Sequence, residues 1–449
     1  MGSLALRKSI GLEQKLTALS DEFKEWLDAS EANKPFEKHN TQIRAITGHL
    51  AGLRRQTETM FANARKEGTI LDQARNLESM VLGIRRIWEF FRAKLVQRRD
   101  AGLRAFLQFA DELAWACYKP VLDVNAGARR EPPLVFLNGG LSPFALPRNE
   151  AFPAEAVPGQ PLAGSTYDGI LGSMPIPVIG VPWYQVAHIP DLPVVAHETG
   201  HAIEHDFGWQ KTVTGRIENA LKGSAGAVRS VQWQAWASEM FADAWGCRSL
   251  GPVYLSSLRD FLAESTDQIE GEVATETGKY PTATLRILLC AKLLETNFSV
   301  EAAACRDEWL TQYPDHQMKK HEGDVDAIAS ALSLTGTWSA ALDFTDTDWT
   351  AAGDACDEIK AGKDADSATS PARLIVAARR LYDEDPKAFT DKKWVDAILK
   401  QSRALVYPGT RAGEQMLSDD EKKTLTEQSM TAGAAMFNDF KKWVGVTAP

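Results

Sequence analysis

Histidine and glutamate converge on one short stretch, Val194-Val195-Ala196-His197-Glu198-Thr199-Gly200-His201-Ala202-Ile203. In a helix, positions four residues apart differ by only about 40° around the axis, so His197 and His201 share a face. Two imidazoles one turn apart can reach one zinc ion at about 2.0–2.1 Å, and Glu198 is turned to the side, where it can touch a bound water. The bland alternative is two ordinary histidines and a solvated glutamate. It fits poorly with the uncharged Thr199 and Gly200 and the apolar Ala202 and Ile203, because burying such a trio without a partner is costly. A third protein ligand is needed to leave one coordination position open for water. His205 is four residues further on, but three ligands along one straight helix would span about 12 Å, so it is expected to be structural or to support a ligand. The better candidate is in Trp236-Ala237-Ser238-Glu239-Met240-Phe241-Ala242-Asp243-Ala244-Trp245-Gly246. There Glu239 and Asp243 lie one turn apart among apolar residues. A buried carboxylate pair at that spacing repels itself unless a cation or histidine compensates.

HETGH followed by EMFADAWG resembles the gluzincins, the thermolysin-like zinc peptidases, whose pattern is HExxH on one helix and Glu-x-x-x-Asp on a second. The resemblance covers residues 197–246, with 38 residues from His201 to Glu239, and Ser238 stands where thermolysin-type sequences have Asn. It implies zinc as cofactor, His197, His201 and Glu239 as its ligands, Glu198 as general base, and Asp243 as the carboxylate behind a ligating histidine. It also implies a peptide or protein substrate. Gluzincins stabilise the oxyanion with a Tyr, His or Arg, and Tyr254, Tyr280 and Arg286 are the candidates in this chain. The competing expectation is a zinc-binding scaffold or interaction protein whose gluzincin-like site is structural or inactive.

These residues need elements to position them. A helix is expected from about Val194 to His205, with Asp191 as N-cap, Pro193 in the first turn and Gly208 closing it. A second is expected from about Val231 to Cys247, stopped by Gly251-Pro252. Upstream, 13 of the 21 prolines fall within residues 120–193, which rules out long helix there. Two strands are expected in that region, Pro133 to Leu137 and Val178 to Val186. Pro182 suits an edge strand better than a central one, and the second strand is expected either to pair with an extended peptide or to be a short core strand. Residues 1–118 carry helical stripes: Leu12, Leu16, Leu19, Phe23 and Leu27; Ile43, Ile46, Leu50 and Leu53; and Leu77, Val81, Ile84, Trp88, Phe91 and Leu95 at 4-3-4-3-4 spacing. Such a seam suits an intramolecular bundle, or a protein partner docked on the N-terminal helices. Beyond residue 253 helical stretches alternate with polar loops, and Ala361 to Ser370 is expected to be mobile.

The expected fold is therefore mainly α with a small β-sheet. It would comprise an N-terminal helical bundle (1–118), a zincin-like catalytic core (119–300) and a helical C-terminal region (301–449). The 449 residues include 50 Lys plus Arg against 60 Asp plus Glu, a net charge of −10 that disfavours nucleic acid as a partner. The five cysteines, Cys117, Cys247, Cys290, Cys305 and Cys356, are scattered and form no CxxC pair, which argues against disulfides and a thiolate metal site. No secretory signal follows the basic residues of MGSLALRKSIGLEQK, and no apolar run is long enough to span a membrane. A cytoplasmic location is expected.

Overall fold

The computed structural model describes residues 2–32, 34–125, 131–148, 175–223, 226–273, 278, 280–333, 343–391, 394–405, 417–444 and 446. It is mainly helical with one small sheet. The elements used below are α1 (Ser3–Asp28), α2 (Asn40–Glu67), α3 (Ile70–Val96), α4 (Ala101–Val124), β1 (Leu134–Asn138), β2 (Phe144–Leu146), β3 (Val178–Pro182), α5 (Val194–Asp206), α6 (Ala237–Leu250), α7 (Pro252–Leu262), α8 (Ala283–Leu294), α9 (Pro371–Glu384) and α10 (Asp419–Ala435). Among the described residues no helix is long and apolar enough to cross a membrane.

Composition divides the chain into three consecutive segments, whereas its contacts group it into two compact units. One unit takes Met1–Arg99, Leu146–Val178 and Arg411–Pro449; the other takes Asp100–Ala145 and Ile179–Thr410. In the first unit the 4-3-4-3-4 seam of α3 is buried along its whole length. Trp88 on that seam meets the rings of Phe23 and Trp26 from α1 at 5.5 and 5.6 Å, edge to face. The distant helix α10 lies along α2. The approach is so close that a Cβ at Gly52 or Gly433 would run into the backbone of the facing helix.

In the second unit α4 starts at Asp100, whose carboxylate accepts from the backbone N–H groups of Gly102 and Leu103 at 2.8 and 3.3 Å. Its Phe106, Phe109 and Leu113 share a core with Val135 and Leu137 of β1, Ile179 and Val181 of β3, and Val195 and Ala196 of α5. One apolar layer thus holds the sheet and the histidine-bearing helix together. The strand order is β1-β3-β2, so β3 is central and fully buried rather than an edge. Pro182 is compatible with that position because it is the last residue of the strand, and Trp183–Ala187 continues as a 3-10 turn.

Two further expectations are corrected here. Asp191 does not cap α5; it ends a 3-10 turn and faces His188 at 3.4 Å and Arg379 at 3.7 Å. The segment Ala361 to Ser370 is tied down rather than loose. Ala365 and Ala368 are buried, and Ser367 donates from N and Oγ to the carboxylate of Glu358 at 3.0 and 2.7 Å.

Candidate metal centre

Helix α5 presents His197 and His201 from one face, and α6 lies against it. Their closeness depends on Gly200, where a Cβ would stand 3.0 Å from both Ala242 Cα and Trp245 Cβ of α6. The expected helix 231–247 is two helices broken at Trp236, and the break puts Glu239 in the first turn of α6. A carboxylate is favoured there by the helix dipole.

His197 Nε2 and His201 Nε2 are 3.2 Å apart. Glu239 places Oε2 3.4 Å from the first and Oε1 3.3 Å from the second. Donors held at about 2.0–2.1 Å from a tetrahedral ion are spaced about 3.3 Å from one another. Two imidazole nitrogens and the two oxygens of one carboxylate thus converge at spacings that a single ion could hold, and among the described residues these three side chains form the one His/Cys/Asp/Glu group of this kind. The charge supports the same fit. Glu198, Glu239 and Asp243 bring three carboxylates into the site, with Arg286 as the cation beside them. A divalent ion would balance the remainder.

Each imidazole is held from behind. His197 Nδ1 faces Asp243 Oδ1 at 2.9 Å, so its hydrogen lies on Nδ1 and Nε2 is left as a ligand. Asp243 is fully buried and receives two bonds from Arg286, Nε to Oδ2 at 2.8 Å and Nη2 to Oδ1 at 2.6 Å. Tyr254 donates to the same carboxylate at 2.6 Å and its hydroxyl is 3.0 Å from His197 Nδ1. Two glycines make room for this tyrosine. Gly251, with φ 61° and ψ −144°, takes a conformation that side chains resist and so folds α7 back on α6. Gly246 leaves the space its ring fills, for a Cβ there would come within 2.5 Å of the ring. His201 Nδ1 lies 3.2 Å from Ser238 Oγ, which donates to the buried Glu204.

The ionisations follow from these contacts. Burial works against protonating His197, but the carboxylates of Asp243 and Glu239 outweigh it and raise its pKa to about 10. A bound metal ion would take the place of the Nε2 proton. Burial acts upward on Asp243, yet Arg286 and His197 hold it down at about 2. Glu239 is likewise lowered, against burial, by His197 and His201. Glu198 is the exception, since burial and the charge of Glu239 raise it despite the two histidines and Arg286. Of the three neighbouring carboxylates, Glu198 is thereby the one whose affinity for a proton is raised.

The structure brings His197, His201, Glu239 and Asp243 together and leaves half-buried His205 outside the group of three donors. Of the oxyanion candidates, Tyr254 and Arg286 are engaged behind His197 with Asp243 rather than free to meet a substrate. Tyr280 is 66% exposed, and its hydroxyl is raised by burial and by the charges of Glu239 and Glu198. Sequence reasoning passes over Glu204. The available signal was a carboxylate three positions after His201, on the same side of the helix. Comparison with family models, with curated protein sequences and with solved structures finds no match to this chain, and what bears on its chemistry is the geometry of the site itself.

Proposed function

We propose that this chain is a zinc-dependent peptidase of the gluzincin kind, built on a zincin-like core, cytoplasmic, and acting on peptide or protein substrates. The observation that carries the reading is the convergence of His197, His201 and Glu239 with buried Glu198 in their field. Zinc, when bound, would lower the pKa of a coordinated water toward about 7 and polarise the scissile carbonyl. Glu198, raised above an ordinary carboxylate, accepts the proton of the attacking water and passes it to the leaving amine. Asp243 keeps the His197 proton on Nδ1 throughout, and Arg286 keeps Asp243 ionised. Tyr280, largely exposed and with the charges of Glu239 and Glu198 acting on its hydroxyl, is the candidate donor to the oxyanion.

The test joins metal analysis to cleavage. Purified protein is expected to carry about one zinc per chain. The wild type is expected to cleave members of a peptide library that Glu198→Gln leaves intact. Absence of zinc, or equal cleavage by the two proteins, refutes the proposal.

A further inference from the structure

The two histidines are supported by different devices. His197 meets a carboxylate directly, and Arg286 and Tyr254 share that carboxylate's charge. His201 meets only a hydroxyl, Ser238 Oγ, 3.2 Å from its Nδ1. That hydroxyl is committed, because its hydrogen is given to Glu204, which has no solvent exposure. A serine has one hydrogen to donate, and here it goes to the carboxylate. Toward His201 the oxygen can therefore only accept. This places the imidazole hydrogen on Nδ1 and leaves Nε2, 3.2 Å from its counterpart on His197, as the ligand atom. A hydroxyl that donates to a buried carboxylate is also a stronger acceptor, since hydrogen bonds in a chain polarise one another.

We infer that Glu204 is a positioning residue for metal binding, acting through Ser238 to fix the tautomer and raise the donor strength of His201. The placement of the three residues supports this. Glu204 lies one turn after His201 on α5, and Ser238 is the residue before Glu239 on α6. The same backbone step thus delivers one ligand and steadies another. If the two helices slide against each other, both contacts are disturbed together. The inference rests on the reading of the site as a metal centre.

The experiment measures zinc affinity by competition with a chromophoric chelator, alongside thermal unfolding of the metal-free protein. Four variants are compared: Ser238→Ala, Glu204→Gln, their double and Ser238→Thr. Loss of a partner behind a ligating histidine typically weakens binding by about 10–100-fold. Ser238→Ala is expected to fall by about tenfold, and Glu204→Gln by a lesser but distinct factor because the amide keeps an acceptor oxygen. Ser238→Thr, which keeps the hydroxyl, is expected to restore affinity. The double variant is expected to be no weaker than Ser238→Ala, since Glu204 acts only through the serine. A packing defect alone would lower the unfolding temperature of the metal-free protein in step with affinity, whereas loss of the support behind His201 lowers affinity in Glu204→Gln without a matching loss of stability and is reversed by the hydroxyl of Ser238→Thr.

The inference is overturned if Ser238→Ala and Glu204→Gln bind zinc as the wild type does. It is also overturned if their effects multiply in the double variant. Should Ser238→Ala unfold, Glu204→Gln and Ser238→Thr decide by the same criteria. A wild-type protein that binds no zinc would instead sink the metal-centre reading, so the two failures are told apart.

Discussion

Replacing Asp243 by Asn separates two roles that one carboxylate fills. Asp243 is fully buried and Arg286 is 9% exposed, so the guanidinium would lose its counter-charge with little water to replace it. One of the two arginine bonds would also become a clash of donors, because an amide NH2 would face Arg286 at a position where oxygens now accept at 2.6 and 2.8 Å. Removing one partner of a buried ion pair costs about 3–5 kcal/mol. At about 2–4 °C per kcal/mol for a unit of this size, the metal-free protein should melt roughly 10 °C lower. The same substitution takes the negative charge from the group that His197 Nδ1 donates to, and zinc affinity should fall about 10–100-fold. Adding Arg286→Met to Asp243→Asn removes the stranded cation. This double variant should recover most of the lost stability and none of the zinc affinity. The assays are urea or thermal unfolding of chelator-treated protein, and zinc titration against a competing chromophore. The reasoning is refuted if Asp243→Asn costs less than about 1 kcal/mol, or if the double variant regains wild-type affinity.

Glu198→Gln should stabilise the metal-free protein, by an amount that grows with pH. The folded pKa of Glu198 is raised, so the native state holds its proton more tightly than the unfolded chain. The stability this contributes is present below the unfolded carboxylate range and is lost as pH rises through the folded value. Melting of the variant and the wild type should therefore coincide in acid and diverge toward neutrality, and a constant difference would contradict the burial of that charge. Gly200→Ala should cost about 1–3 kcal/mol and weaken zinc binding, because the added methyl forces α5 and α6 apart at Ala242 and Trp245; unchanged unfolding would show that the helices yield freely. Tyr280→Phe should lower kcat by about 10²–10³ with KM little changed, as removal of an oxyanion donor does. An effect confined to KM would give the residue a binding role instead.

The residues that meet within one helix, or between two adjacent ones, were legible because helical spacing is a local property. His197 and His201 announce a shared face, and Glu239 with Asp243 announces a second. The break at Trp236 was not visible, since Val231 to Cys247 carries no proline or glycine until Gly246. Tyr254 and Arg286 were singled out as polar residues near the motifs, but the side of the site they occupy depends on the turn at Gly251 and the space at Gly246, which are tertiary facts. Pro182 misled for a related reason. Its missing N–H excludes it from the interior of a ladder, but at the last position of β3 the strand can still be flanked on both sides. A mainly helical chain with a small sheet could be read from the proline-rich interval alone. The partition into units could not, because α10 returns to α2 from the far end of the sequence.

That return has a cost in time. The pairing that brings Gly52 of α2 against the backbone of Met430 closes a loop of roughly 380 residues, whose entropy penalty grows only logarithmically. Synthesis is less forgiving. At about 5–20 residues per second, α2 waits on the ribosome for roughly twenty seconds to over a minute before its partner emerges. The intervening chain, with both histidines and their carboxylates, is complete first and can fold while α2 still lacks α10. The seam that ends up most tightly closed is thus the last to shut, and in the interval it is the stretch of this nascent protein most open to a chaperone or to a wrong partner.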